Sequence, residues 1–140
     1  LLNSMSFGSF NKPFRPNRTE FDWLSRDSEK VDAYIQDEKC GFICTTSMFI
    51  DLFKGLKSIT NLDTLSNCDK NLPIMFISGE DDPVGDFSNG VNRVYDQYKR
   101  VGFDDLSLNI YPKCRHELLN ETNRLDIYLD IMKWLNNHTH

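Results

Sequence analysis

Apolar residues follow two patterns in the second half of this chain. Two short continuous apolar runs, Pro73–Ser78 and Leu106–Tyr111, are bounded by proline, glycine and polar residues. Such runs are typical of buried strands, because an exposed helix would show polar residues at regular intervals. Apolar residues at helical spacing follow each run: Val91, Val94, Tyr95 and Tyr98 after the first, and Leu125, Ile127, Ile131, Trp134 and Leu135 after the second. This order predicts parallel strands joined by a right-handed crossover.

The first half of the chain has a helical and polar pattern. Residues 3–20 combine Asn, Ser, Gly, Pro and Arg with scattered Phe, which predicts an extended surface segment. Two helices are expected after it, one capped by Asp27 or Ser28 and the other by Thr46 or Ser47. Their apolar faces are formed by Val31, Tyr34 and Ile35 in the first helix, and by Met48, Phe49, Leu52, Phe53 and Leu56 in the second.

The pattern changes near Asn67, which divides the chain into a helical segment, residues 1–67, and a β-α-β-α segment, residues 68–140. The expected fold class is therefore α/β with parallel strands. Two parallel strands do not form a stable sheet alone, because their outer edges leave backbone N–H and C=O groups unpaired. We therefore expect these edges to pair with strands that this sequence does not contain, or the chain to associate with itself.

Composition and charge narrow the classes of function. The 140 residues carry a formal net charge of −5, with 16 basic and 21 acidic side chains. This balance argues against a nucleic-acid partner, because phosphate contacts need clustered Lys and Arg. No apolar stretch is long enough to cross a membrane. The chain starts at Leu1 without Met and without a signal-peptide pattern, so we expect a cytoplasmic protein whose upstream residues have been removed or omitted.

The four cysteines allow two interpretations. Cys40 and Cys44 could face one way on a helix and bind zinc together with a histidine. The residues between them are apolar, however, and no second pair of ligands lies nearby. We therefore expect buried free thiols in a reducing compartment, and no metal ion.

An acid and a histidine each follow one of the two predicted strands. Gly79-Glu80-Asp81-Asp82-Pro83-Val84-Gly85 comes after the first strand, and Cys114-Arg115-His116-Glu117 comes after the second. Taken singly, the aspartates are common turn formers and the histidine could be packed beneath a loop. Together, at the ends of adjacent parallel strands and in the order acid then histidine, they indicate two thirds of a hydrolytic triad. The nucleophile is missing, because the sequence contains no Gly-x-Ser-x-Gly elbow.

Several segments carry a resemblance to a known family. They are SFGSFNKPF (Ser6–Phe14), TEFDWLSRD (Thr19–Asp27), CGF (Cys40–Phe42), GEDDPVG (Gly79–Gly85) and RHELLNE (Arg115–Glu121). With these segments the whole chain resembles the C-terminal half of serine α/β-hydrolases of the monoacylglycerol lipase and lysophospholipase kind. The resemblance implies a partial α/β-hydrolase fold, in which residues 1–67 form the cap over the active site and residues 68–140 form the end of the sheet.

The resemblance also implies roles for individual residues. The triad acid in this family stands just before Pro-Val-Gly, which here is Asp82 and not Asp81, and the triad base matches His116. The serine and the backbone groups that bind the oxyanion lie in the family's N-terminal half, which is missing here. The intact protein is expected to hydrolyse a small lipid ester without a metal or an organic cofactor, whereas this chain alone lacks the nucleophile.

Two questions stay open at this point. The face of Met48, Phe49, Leu52 and Phe53 is either packed in the core or lines an acyl-chain pocket, since both have the same periodicity. The intact protein could also be an aminopeptidase of related fold, which acidic cap residues in the pocket would favour over an apolar wall. A third interpretation is a non-catalytic interaction module that binds itself or another chain.

Overall fold

A computed structural model describes residues 2–59 and 62–139, and in this part of the chain the protein is an α/β structure. The fold class predicted from the sequence is therefore confirmed. The helices are α1 (Leu2–Phe7), α2 (Ser28–Gln36), α3 (Thr46–Ile59), α4 (Leu62–Ser66), α5 (Asn89–Val101) and α6 (Arg124–His138). The strands are β1 (Ile74–Gly79) and β2 (Leu106–Tyr111), and 3₁₀ turns lie at Lys12–Phe14 and Leu118–Asn120.

The two strands are parallel neighbours, as the sequence predicts. Their register runs from Ile74 opposite Leu106 to Gly79 opposite Tyr111, so both strands end at the same edge of the sheet. The helix between them, α5, ends at Gly102, which adopts the left-handed conformation (φ +96°) and donates its N–H to the carbonyl oxygen of Lys99. The loops that follow the strands therefore start side by side.

The core lies between the sheet and α6. Tyr111, Cys114, Leu118 and Ile127 form a buried cluster, against which Ile77 and Ile131 pack. The neighbouring residue of β1, Phe76, contacts the rings of Tyr95 and Tyr98 instead. Because successive side chains of a strand point to opposite faces, α5 and α6 cover opposite faces of the sheet.

The helix starts confirm one predicted cap and correct another. Asp27 caps α2, where its carboxylate accepts the backbone N–H groups of Glu29 and Lys30. The residue that caps α3 is Thr45, and not Thr46 or Ser47, because its hydroxyl accepts the N–H of Met48 at 3.3 Å. The expected extended segment at residues 3–20 was also wrong in part, since it begins within helix α1 and contains a 3₁₀ turn.

Several side chains expected to pack inward do not. Leu125 is 70% exposed, because two residues correspond to about 200° around a helix and so place it opposite the buried Ile127. Leu135 and Ile35 are also exposed. Of the four cysteines, which are all free, Cys114 is buried, whereas Cys40 and Cys44 are partly exposed and Cys68 is exposed. The expectation of buried thiols was therefore wrong for three of them.

No helix among residues 2–59 and 62–139 combines the length and the apolar character needed to span a membrane.

Candidate active site

Asp82 lies in the turn that follows β1. The turn is closed by the backbone N–H of Asp82, which donates to the carbonyl oxygen of Gly79 at 3.2 Å. The Asp82 carboxylate accepts the N–H of Val84 at 2.8 Å, an arrangement favoured by Pro83 between them, which restricts Asp82 to extended backbone conformations. The side chain is buried, with 7% of its surface exposed. Its direction is thus fixed by the turn that carries it.

The loop after β2, residues 112–123, carries His116 and is called the histidine loop below. It is hydrogen-bonded to the loop after β1. The N–H of Glu80 donates to the carbonyl oxygen of Tyr111, and the N–H of Asp81 donates to that of Cys114, both at 2.9 Å. Gly79 lies so close to the carbonyl oxygens of Cys114 and Arg115 that a Cβ atom has no room there. A glycine at this position is therefore what lets the two loops approach each other.

The two loops bring Asp82 and His116 together. The Nδ1 atom of His116 lies 3.2 Å from Oδ1 and 3.1 Å from Oδ2 of Asp82. This confirms the predicted contact, and it is made by Asp82 and not by Asp81. A carboxylate at this distance favours the tautomer with the proton on Nδ1, which leaves the lone pair of Nε2 available. Among the described residues, Nε2 has no hydrogen-bond partner.

The contact changes the titration of the imidazole. The hydrogen bond to Asp82 raises the pKa of His116 above its ordinary value near 6.5, whereas burial lowers it. The negative charges of Asp82 and Glu117 add to the increase. The His116 side chain is 38% exposed, so solvent reaches the ring although its carboxylate partner is buried. The geometry suits a base that is held on one side and accessible on the other.

A second histidine, His138, also contacts an aspartate, but neither of its ring nitrogens is left without a partner. The Nε2 atom of His138 lies 3.2 Å from Oδ2 of Asp105, and its Nδ1 atom lies 2.6 Å from the carbonyl oxygen of Trp134. Both ring nitrogens thus face acceptors, and the ring also stacks on the indole of Trp134. His138 therefore has no free nitrogen with which to take a proton from a substrate or nucleophile.

The segment around Trp23 also contacts the histidine loop, which the sequence analysis did not anticipate. The N–H of His116 donates to the carbonyl oxygen of Trp23 at 3.4 Å, and that of Glu117 donates to the carbonyl oxygen of Leu24 at 2.7 Å. The centre of the imidazole ring lies 5.3 Å from that of the indole ring of Trp23. The resemblance had singled out both segments, but nothing in their order along the chain indicates that they touch.

A cavity of about 750 Å³ lies beside this segment. Trp23 belongs to its lining, which makes this residue common to the cavity and to the histidine contact. The lining is largely apolar, with Phe7, Phe21, Trp23, Tyr34, Phe42 and Ile43, and it also includes Glu20 and Lys39. Its walls come from α1, from the segment between α1 and α2, from α2 and from the loop before α3.

The predicted cap residues lie on α3 and are not themselves part of this lining. Phe49 is buried, and its ring contacts those of Phe7 and Phe53. Met48, Leu52 and Phe53 are between 41% and 49% exposed. None of these four belongs to the lining of the cavity. Their part in substrate binding stays a prediction.

The described residues include no group of three or more His, Cys, Asp and Glu side chains placed to hold a metal ion.

A known family of hydrolases matches most of this chain. The hydrolase family described as "serine aminopeptidase, S33" matches residues 3–123. Among curated proteins, none shows significant sequence similarity to the chain.

Two solved structures have the same fold over 97% of this chain. One is a highly thermostable carboxyl esterase from Bacillus coagulans in complex with glycerol, with a TM-score of 0.88 and 22% identity. The other is a lipase in its open form, with a TM-score of 0.81 and 25% identity. The match covers 44% of each of those chains, so this chain spans less than half of their length. The predicted fold class, part of an α/β-hydrolase, is confirmed.

Proposed function

Because the chain belongs to the serine aminopeptidase S33 family of hydrolases, we propose that it supplies the acid and the histidine of a catalytic triad in a serine carboxylester hydrolase. The observation that carries this proposal is the contact of the His116 Nδ1 atom with the buried Asp82 carboxylate, at 3.1 Å from Oδ2. In this proposal the serine lies outside these 140 residues. Residues 1–67 act as the cap, and residues 68–140 belong to the core.

The proposed mechanism follows from the two nitrogens of His116. Asp82 accepts the Nδ1 proton and holds the ring, while Nε2 takes the proton of the serine hydroxyl as the oxygen attacks the ester carbonyl. The imidazolium that forms is stabilised by the Asp82 carboxylate and then protonates the leaving alcohol. Backbone N–H groups outside this chain bind the oxyanion. Water repeats the sequence to release the acid.

The proposed substrate is a monoacylglycerol or a lysophospholipid-like ester. Two features support an apolar acyl chain: the aromatic lining of the cavity beside Trp23, and the exposed apolar residues of α3. We also propose a cytoplasmic location, which the four unpaired cysteines support.

An aminopeptidase is the second candidate function. Glu20 belongs to the cavity lining, where a carboxylate could bind the free amine of a peptide, and the matched family carries an aminopeptidase description. A non-catalytic interaction module is the third candidate, supported by the exposed apolar residues of α3 and α6. The five aromatic side chains in the cavity lining favour the lipid ester over the peptide.

The test uses the complete natural protein that contains this chain. Three substrates are offered: a long-chain monoacylglycerol, a lysophosphatidylcholine and an aminoacyl 4-nitroanilide. We expect hydrolysis of one of the two lipid esters, and a loss of about 10⁴-fold in kcat for Asp82→Asn and for His116→Ala. Turnover of the anilide alone would establish the aminopeptidase instead, and no turnover of any substrate would favour the interaction module.

The second histidine–aspartate pair provides matched controls. His138→Ala and Asp105→Asn make the same chemical changes at a pair in which both ring nitrogens of the histidine face an acceptor. We expect these variants to retain kcat within about threefold. Ester turnover that survives at Asp82→Asn and His116→Ala would refute the proposed mechanism.

A further inference from the structure

A fully buried carboxylate lies five residues after the histidine. Glu121 has no exposed surface, and its two oxygens accept four N–H groups. Oε1 accepts the backbone N–H groups of Arg115 at 2.9 Å and of Arg26 at 3.3 Å. Oε2 accepts the Nε–H of Arg26 at 2.8 Å and the backbone N–H of Thr122 at 3.0 Å. A buried charge with this number of donors is held in one orientation.

Arg26 connects Glu121 to the rest of the loop. Its Nη2 atom donates to Oδ1 of Asn123 at 2.6 Å and to Sγ of Cys114 at 3.3 Å. The guanidinium therefore contacts the loop on both sides of His116, at Cys114 before it and at Glu121 and Asn123 after it. The loop cannot shift relative to Arg26 without breaking these bonds.

Arg115, the neighbour of His116, is fixed at both ends. Its backbone N–H donates to Glu121, and its guanidinium donates to the carbonyl oxygens of Asp22 and Ser25. The guanidinium also lies over the ring of Phe14, 4.2 Å from its centre. The side chains of Glu121 and Arg115 thus bind the histidine loop to residues 22–26.

We propose that Glu121 is a positioning residue, which holds the backbone at Arg115 through its Oε1 atom and thereby keeps the imidazole of His116 against Asp82. A glutamine at this position keeps the shape of the side chain but has only one acceptor oxygen, which we expect the charged guanidinium of Arg26 to bind. Its amide nitrogen then faces the Arg115 N–H, which it cannot accept. The consequence for catalysis rests on the proposed function, whereas the consequence for the Asp82–His116 contact does not.

The first test measures this contact without requiring activity. The protein is labelled with ¹³C at the histidine Cε1 atoms, and the His116 signal, assigned from its loss in His116→Ala, is titrated by NMR. We expect Glu121→Gln to lower the pKa of His116 by about 0.5–1, because the ring moves away from the carboxylate that favours its charged form. The side chain of Gln has nearly the same shape, so the cavity left behind is small.

A double-mutant comparison separates position from charge. If Glu121 acts through the Asp82–His116 contact, Glu121→Gln has no further effect on the His116 pKa in an Asp82→Asn background. If it acts through its own negative charge, the decrease is the same in both backgrounds. Equal decreases, or no decrease in either background, would overturn the proposal.

Glu80→Gln is the matched control. Like Glu121, Glu80 accepts a backbone N–H of the histidine loop: its Oε2 atom accepts the N–H of Lys113 at 3.1 Å. The Glu80 side chain, however, is exposed. We expect its replacement to leave the His116 pKa within about 0.2. If Glu121→Gln does not fold, the same titration and comparison are made with Glu121→Asp, whose shorter side chain keeps the charge but withdraws the oxygens from the Arg115 N–H, and the same outcomes decide.

The second test measures kinetics in the complete natural protein. A displaced base affects the chemical step, so we expect Glu121→Gln to lower kcat by about 10- to 100-fold while KM changes less than about threefold. An unchanged kcat would overturn the positioning role. If the unmodified protein hydrolyses no ester, the proposed function fails, and the NMR comparison still decides whether Glu121 positions His116.

Discussion

At the scale of single residues, the two histidines paired with aspartates show how the surroundings decide the chemistry. His116 and His138 each lie about 3.1–3.2 Å from a carboxylate oxygen. His138 also faces a backbone carbonyl with its other nitrogen, whereas the Nε2 atom of His116 has no partner among residues 2–59 and 62–139. Of these two histidines, His116 is therefore the one whose neutral ring can take a proton from a bound molecule at Nε2.

The raised pKa of His116 predicts how pH affects stability. A group whose pKa is higher in the folded state contributes stability that is fully present below its unfolded value, near 6.5, and lost as pH rises through the folded value. We expect the Asp82→Asn variant to lose this contribution. The difference between its free energy of unfolding and that of the unmodified chain should be larger at pH 5.5 than at pH 8.5. Urea titrations at the two pH values measure it.

The effect on stability should be modest, because more than a third of the His116 side chain is exposed and water screens the interaction. A difference that grows as pH rises would contradict the assigned contact. In the complete protein the activity should follow the opposite trend, since the neutral imidazole is the base and its fraction increases with pH.

The residues of the candidate site differ in how far the sequence could reveal them. That an acid and His116 meet could be predicted, because each follows a short apolar run and parallel strands end at one edge. The choice of Asp82 over Asp81 came from the family resemblance. The contacts of Trp23 with His116 and of Glu121 with Arg26 could not be predicted. They join positions about 95 residues apart, and the local pattern of a chain carries no information on such pairs.

At the scale of elements, α3 has an apolar stripe of which one residue is buried and the others are exposed. Phe49 is packed between the rings of Phe7 and Phe53, whereas Met48, Leu52, Phe53 and Leu56 are exposed. The two interpretations of this stripe from the sequence therefore apply to different members. Phe49 is a core residue, and the exposed members are those that we propose contact an acyl chain.

This division predicts different effects for two similar substitutions in the complete protein. Phe53→Asp should keep the fold and reduce hydrolysis of long-chain esters about tenfold more than that of short-chain esters, because only a long chain reaches the stripe. Rates with a homologous series of esters measure the ratio. Equal losses for all chain lengths would show that Phe53 does not contact the substrate.

Phe49→Asp is the matched comparison. It places a carboxylate in the aromatic cluster, where we expect a loss of about 3 kcal/mol or more in the free energy of unfolding. A stable Phe49→Asp variant would contradict the packing described for this helix.

The sequence predicts the bounds of the strands and helices better than it predicts which sides of the helices are buried. The predicted β2 has the observed bounds, and β1 is shifted by one residue. The buried side of a helix is harder to predict, because the spacing of apolar residues shows that a helix has an apolar side but not whether another element packs against it. Leu125 was assigned to the buried side of α6, yet its angular distance from Ile127 places it on the other. The start of α3 differed by one residue because Thr45, Thr46 and Ser47 are all suitable caps.

At the scale of the whole molecule, the described structure leaves apolar surface and strand edges uncovered. The sheet consists of two strands in the described residues, so each has one edge without a neighbouring strand. Leu125, Leu129 and Met132 of α6 are each more than half exposed. Such surfaces favour association with other chains, or with further parts of a longer protein.

We therefore predict that this chain associates with itself when studied alone. Sedimentation in dilute solution should give a mass above the 16.3 kDa of one copy. The same sample should not hydrolyse an activated ester above background, because an acid and a base without a nucleophile cannot form an acyl-enzyme. A folded monomer in dilute solution would contradict the predicted association. Ester turnover by the chain alone would contradict the proposal that the nucleophile lies outside these 140 residues.

The bonds between residues 22–26 and the histidine loop also set an order of events during protein synthesis. Ser25 and Asn120 are 95 positions apart, and Arg26 and Asn123 are 97 positions apart. At about 5–20 residues per second, the ribosome needs roughly 5–20 s to make the second partner after the first. During that time, Arg26 and the carbonyl groups of Asp22 and Ser25 have none of these partners. The acid–histidine pair thus reaches its native form late, once nearly the whole of this chain has emerged.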